Sequence, residues 1–326
     1  MTNHLQAPTY TPGLHQLADG VHAWLQPPGT WGFGNAGLVV GGDDRVLLVD
    51  TLNDLATTQA MLDAMTAATA GAVPPVGTLV NTCGESDHCW GNQLVVRPHT
   101  ETISTAAGWE ELKASQPSAL VQLTKLVKFL PADMKRLARA ITEPFSFEGI
   151  RLTPPTRMIE GDASVDCGGR DILVLDLGAA HTGSDLAVWV EDSSILFAGD
   201  LVISGQVPLL GGSSAARLAA LDRLAALHPA MVVPGHGAVG DSSLIDATRR
   251  FLEWLGDAVA AEHRSGVSAP GAIPRIRKAM SATEFGPLLN PERLVVSIHT
   301  LWADHEPGYR LPAPPVLYSQ MGRMMA

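Results

Sequence analysis

Residues 79–95 read LVNTCGESDHCWGNQLV: an apolar run stops, and Cys83, Glu85, Asp87 and His88 follow within six residues. Thiolate, carboxylate and imidazole are all metal-ligand types, yet soft sulfur and hard oxygen favour different ions. In an extended loop, residues two apart point the same way. Cys83, Glu85 and Asp87 are therefore expected on one side, with His88 following where the chain turns into a helix start near DHCWGNQL. One short loop could then serve two neighbouring ions, with His181, Asp200 and His236 converging from elsewhere.

The elements that must position these residues follow from the apolar pattern. VGTLVN runs into residues 83–88, ILVLDLGAA into His181, SILFAG into Asp200 and MVVPG into His236. Open sheets place ligands beyond the carboxyl ends of their strands, and random scatter of 11 histidines would not produce this arrangement. Further strands are expected at VHAWLQ, NAGLVVG, RVLLVD and DLAVWVE, short Val- and Leu-rich runs bounded by Gly, Pro and Asp. Residues 53–70 have helical spacing with Asn53 as N-cap. Residues 107–142 carry most of the lysines and read as short helices split at Pro117 and Pro131, an inserted helical cap over an otherwise strand-rich body. Helices are expected over 214–227, 244–263, 271–280 and 291–303, and the Pro-rich tail 311–326 is expected extended, over the body or a neighbouring subunit. Alternating strands and helices imply an α/β or mixed layered fold. The whole is read as a single domain, 1–326, with the cap at about 107–142 and a C-terminal helical extension at about 261–326.

Bulk composition narrows the function classes. The 326 residues are 46% hydrophobic and 17% charged, with a formal charge of -11. Such a chain can build a sizeable core, and its acidity argues against nucleic acid or an anionic membrane as partner. It suits an enzyme of small molecules, with a homodimer among the assemblies it allows. The opening MTNHLQAPTYTPG has no basic or apolar signal region, and no apolar run reaches the ~18 residues of a membrane span. Three cysteines make a disulfide framework improbable, so a cytoplasmic location is expected.

In these motifs the chain resembles the metallo-β-lactamase superfamily of metal-dependent hydrolases and some redox enzymes, built as a four-layer αββα sandwich. The matching features come in order: Asp50 in VLLVDT, then Cys83, Glu85, Asp87 and His88 against the family's His-x-His-x-Asp-His, then His181 in HTGSD, Asp200 in FAGD and His236 in PGHG. They cover about residues 20–260. The resemblance assigns Asp87, His88, His236 and a bridging Asp200 to one ion. It assigns Cys83, Glu85, His181 and the same Asp200 to the other, where two of the family's three histidines are replaced. Asp50 and Asp185 are implied as groups that orient the ligands from behind.

The resemblance implies zinc, one ion or two, with iron or manganese as the alternative because Glu85 stands where di-iron members carry glutamate. A zinc-bound hydroxide would attack a carbonyl, with Asp87 or Asp200 orienting the water or shuttling its proton. Esters, thioesters, lactones and amides are within reach of this chemistry. DHCWGNQL and the opening strands also resemble relatives from aromatic polyketide pathways, some of them cyclase/thioesterases. Two alternatives stand beside the hydrolase: a non-haem di-iron oxidoreductase, and a binding protein that has lost turnover. Cys89, Cys167, His299 and His305 are read as structural, Trp90 as packing beneath the loop, and GGSSAAR as a turn and N-cap.

Overall fold

The computed structural model describes residues 10–29, 31–68 and 76–325. The signal-peptide reading of the N-terminus falls largely outside them, as does the end of the helix read over 53–70.

Among the described residues the strands form two sheets. The first runs β1 (Gly13–Ala18), β2 (Val21–Leu25), β3 (Ala36–Val40), β4 (Val46–Val49), β5 (Thr78–Val80), β6 (Glu101–Ser104) and β7 (Arg157–Met158). Its first four strands pair antiparallel and its last four parallel. The second contains β8 (Ala163–Asp166), β9 (Asp171–Asp176), β10 (Leu186–Val190), β11 (Ile195–Ile203) and β12 (Met231–His236). Only β11 and β12 are parallel there.

β4, β10 and β11 are buried at every position, as expected of strands covered on both faces. Val39, Leu47, Val49 and Val80 of the first sheet meet Val174, Val188, Ile195 and Phe197 of the second in one core. The other face of the first sheet is covered by α1 (Leu55–Ala68), whose Met61 and Met65 pack with Leu38, Leu48 and Leu79. The other face of the second packs against α7 (Ser214–Ala225) and α8 (Ser243–Arg264). Helix, sheet, sheet, helix is the expected four-layer αββα order.

Between β6 and β7 lie α4 (Ala106–Ala114), α5 (Pro117–Leu126) and α6 (Ala132–Thr142). Pro117 opens α5 and Pro131 immediately precedes α6, positions where a missing N–H is harmless. After α8 come α9 (Ala269–Met280), α10 (Leu294–His305) and α11 (Pro314–Met324). No described helix is long and apolar enough to cross a membrane.

Two local expectations are corrected. The cap of α1 is Asp54, whose Oδ1 accepts from the Thr57 amide at 2.8 Å; both residue types can cap, and a helix starting at Leu55 gives the task to its immediate predecessor. The tail is helical, because Pro314 and Pro315 supply a first turn with φ already set. α11 then docks on α6. Ser319 Oγ donates to Asp133 Oδ2 at 2.6 Å and Arg136 Nε to the Gly322 carbonyl at 3.0 Å. A Cβ on Gly322 would stand 1.8 Å from the Asp133 carbonyl oxygen, so the two backbones meet where only glycine fits.

Candidate metal centre

Each candidate side chain leaves the sheets at one rim. β5 feeds the loop that ends at Glu85, the N-cap of a single helical turn, α2 (Ser86–Cys89). This turn overrides the alternation expected of an extended loop. Glu85 and Asp87 diverge, and Cys83 joins neither of the two groupings that form. His181 lies in the loop after β9, and His236 ends β12.

Asp200 lies inside β11 rather than beyond its end. The β11–β12 register shifts on both sides of Gly199, which sits at φ 52°. Such a bulge re-aims the following side chain. Asp200 has room only because residue 235 is glycine: a Cβ there would lie 1.8 Å from Asp200 Oδ1.

Two groups result: Asp87, His88 and His236, and Glu85, His181 and Asp200, each with its ligand atoms within 4.8 Å of one another. Asp200 stands between them. Its Oδ2 is 3.4 Å from His181 Nε2 and 3.3 Å from His236 Nε2, while its Oδ1 is 3.2 Å from His88 Nε2. Glu85 Oε2 lies 3.1 Å from His181 Nε2, and Asp87 Oδ2 lies 3.4 Å from His236 Nε2.

These residues fit a metal ion. His88 Nδ1 faces Asp50 Oδ2 at 2.9 Å, His181 Nδ1 the Leu209 carbonyl at 3.0 Å, and His236 Nδ1 the Phe33 carbonyl at 2.9 Å. At His88 and His236 the oxygen acceptors behind Nδ1 hold the proton there and turn the Nε2 lone pair inward, the arrangement of ligating imidazoles; His181 Nδ1 also has the Arg217 guanidinium at 3.2 Å. His88 Nε2 and Asp200 Oδ1 are buried and face each other at 3.2 Å without forming a hydrogen bond, a pairing that a cation between them would satisfy better.

The electrostatics agree. Burial pushes the His88 imidazolium down, but the Asp50 and Asp200 carboxylates outweigh it and hold its pKa well above the usual value. His181 is raised to about 10 against the same burial by Asp200 and Glu85. Asp200, despite burial, is held well below the carboxylate range by His236 and His88. Burial raises Asp87 in spite of His88 and His236. The cluster thus stabilises positive charge at its centre, whether carried by protons or by metal ions.

Residues 29–236, more than half of the chain, match the metallo-β-lactamase superfamily. The chain belongs to this superfamily. It is 30% identical over 107 residues to the metallo-β-lactamase type 2 of Bacteroides fragilis, a stretch covering 31% of this chain and 43% of that protein. It therefore spans less than half the length of that relative. A metallo-β-lactamase from Pontibacter korlensis superposes with TM-score 0.54 at 20% identity, covering 74% of this chain and 99% of that one. A double mutant of the sec-alkyl sulfatase PisA1 superposes with TM-score 0.67 at 13% identity, covering 94% of this chain and 53% of that one. At these identities the two structural likenesses show the superfamily fold.

Other residues hold the superfamily's ligand loops in place. Asp50, at φ 62°, accepts from the Thr82 amide at 2.7 Å and the Thr82 hydroxyl at 2.6 Å as well as facing His88. Asp185 accepts from the amides of Ala180, His181 and Thr182 at 3.0, 2.7 and 2.9 Å, so it orders the His181 loop through its backbone. The Cys83 thiol is buried outside both groups. Burial, then the nearby Glu85 and Asp200 carboxylates, push its pKa well up. Cys89 donates to the Cys83 carbonyl at 3.1 Å and packs with Trp90 and Phe147, a structural role. His299 is likewise satisfied, by Tyr309 and Gln320.

Two arginines belong to the site although no motif contains them. Arg217 is fully buried; its guanidinium donates to the Asp200 carbonyl at 2.5 Å and to the Leu201 and Leu209 carbonyls, tying α7 to the metal strand. A signal existed, since Arg217 shares its helix face with Ala220, Leu221 and Leu224. Arg293 lines the cavity above the ligands, a space of about 470 Å³ also walled by Trp31, Leu120, Ile141, Leu209 and Tyr318. Nothing in its local sequence marks it. That volume suits a small molecule, and the inserted helices and α11 supply part of its wall.

Proposed function

We propose that the chain is a metal-dependent hydrolase acting on the carbonyl group of a small ester, thioester, lactone or amide, with zinc held by the two groups. The reading extends to cyclase/thioesterase chemistry on polyketide thioesters. What supports it most is the pairing of two three-ligand groups through Asp200 beneath a substrate-sized cavity, with His88 Nε2 and Asp200 Oδ1 buried and joined by no hydrogen bond.

When bound, a divalent ion supplies Lewis acidity and brings a water's pKa down to about 7. The chain's own residues do the rest. Asp50 and the Phe33 carbonyl keep the His88 and His236 imidazoles in the ligating tautomer, and the Leu209 carbonyl positions the His181 ring. Asp87, with a carboxyl raised by burial, is the group best suited to orient the attacking water and take up its proton. Asp200 holds the two groups in register. Trp31, Leu120, Ile141 and Tyr318 wall the cavity and exclude bulk water around the scissile bond. Its three described cysteines are free, as a reducing cytoplasm would keep them.

The test is elemental analysis of the purified chain together with hydrolysis of 4-nitrophenyl esters and acyl thioesters. Two equivalents of zinc and chelator-sensitive hydrolysis are expected, with one equivalent and most of the hydrolysis lost in His236→Ala. A chain that never takes up divalent ions, or hydrolysis that survives both chelation and His236→Ala, ends this reading. A second reading, a di-iron oxidoreductase, is favoured by one observation: Glu85, His181 and Asp200 offer two carboxylates and one imidazole, a donor set suited to iron or manganese. Two irons per chain with visible absorption would decide for it.

A further inference from the structure

Arg293 is a buried cation that the metal chemistry leaves without a partner. It is 4% exposed, its Nε has no hydrogen-bond partner, and among the described residues its guanidinium makes no ion pair. The guanidinium lies over the Trp31 ring, 4.8 Å from its carbon to the centroid. Trp31 is itself fixed, since its Nε1 donates to Glu292 Oε1 at 2.9 Å, and Asn290 Nδ2 donates to the same oxygen at 3.2 Å. The guanidinium is thus clamped by a cation–π contact in a cavity whose floor is Glu85, Asp87, His181, Asp200 and His236.

The acidic groups facing Arg293 are Asp200, Glu292, Asp87 and Glu85. Each is committed elsewhere: Glu292 to Trp31 and Asn290, and the other three to the metal groups. Uptake of divalent ions would neutralise those three carboxylates and leave a desolvated guanidinium with unused donors. A buried charge in that position is costly unless it is paired.

We propose that Arg293 anchors an anionic oxygen group of the substrate, a carboxylate or sulfo group, across the cavity from the metal groups, so that the enzyme selects acids over neutral esters. The planar guanidinium can grip either group through two parallel hydrogen bonds. The word substrate rests on the hydrolase reading, whereas anion capture by Arg293 does not. Arg293 lies in the C-terminal region, outside the residues 29–236 that match the superfamily.

The test titrates the full-length zinc-loaded chain with glutarate and, separately, with sulfate. Tryptophan fluorescence is the readout because Trp31 stacks on the arginine. The wild type should saturate with at least one of the two, and the preferred anion tells carboxylate from sulfo. Arg293→Gln should weaken that binding about tenfold or more, the scale of a lost charge-assisted hydrogen bond, with zinc per chain unchanged. Arg293→Lys should fall between them, and it carries the test if Arg293→Gln fails to fold. The titration is repeated on metal-stripped protein to separate capture by arginine from capture by zinc. Anion affinity equal in wild type and Arg293→Gln overturns the proposal. So does a variant that loses zinc but not anion affinity, which would make Arg293 a counter-ion of the ligand carboxylates. A wild type that binds glutarate through Arg293 but never cleaves mono-4-nitrophenyl glutarate sinks the hydrolase reading and leaves this one standing.

Discussion

Asp50→Asn probes whether a residue that ligates nothing sets the metal affinity of one group alone. Asp50 is 2% exposed and accepts three hydrogen bonds, Oδ1 from the Thr82 amide and Oδ2 from the Thr82 hydroxyl and His88 Nδ1. Asparagine matches its shape and tolerates φ 62°. The Thr82 amide needs an acceptor, so the new amide keeps its oxygen there and turns its NH2 toward Thr82 Oγ1 and His88 Nδ1. The hydroxyl can rotate to accept, but the imidazole can accept only by moving its proton to Nε2, the inward nitrogen. Loss of such an orienting partner costs about 10–100-fold in metal affinity, or about 1.4–2.7 kcal/mol. Asp50 hydrogen-bonds none of Glu85, His181 or Asp200, so one equivalent should weaken and the other should hold. Competition of zinc against a chromogenic chelator resolves two such steps. Wild-type affinity in both steps, or equal loss from both, would refute the reasoning.

Gly235→Ala places a methyl 1.8 Å from Asp200 Oδ1 and 2.7 Å from the Gly199 carbonyl carbon, so the shared carboxylate must move; elemental analysis should show loss from both groups. Cys83→Ser should keep the metal stoichiometry of the wild type, because the sulfur lies outside both groups. It should cost about 1–2 kcal/mol in denaturant unfolding through a buried hydroxyl. In the metal-free chain the His181 pKa is raised to about 10, so the stability from its imidazolium is fully present below about 6.5 and is lost as pH rises toward 10. Calorimetry should therefore show the metal-free melting temperature falling between pH 7 and 10. The zinc-loaded chain should change less, because the ion replaces that proton.

Much of this centre is legible along the chain because each ligand follows an apolar run long enough to be a buried strand. The ends of β5, β9 and β12 and the ordered motifs around His181, Asp200 and His236 place the metal rim without any tertiary information. The prolines at 117 and 131 likewise mark where the inserted helices begin. The failures are equally local. Alternation put Cys83, Glu85 and Asp87 on one side, but the chain becomes helical at Ser86, and a helical turn spaces side chains by about 100° rather than 180°. The Pro-rich tail reads as extended, yet two prolines at the start of a segment can equally open a helix once a partner such as α6 covers it.

Residue type and order determined that metal-ligand types, carboxylates and imidazoles, follow the buried strands. Only the tertiary structure decided that Cys83 stands outside both groups and how Asp200 comes to stand between them. The place of Asp200 depends on a bulge at Gly199 and the space left by Gly235, features of two strands 36 residues apart in number but adjacent in the sheet. The same holds for Arg293: whether its charged side chain is solvated or buried is a property of what packs around it, and no local pattern there encodes that.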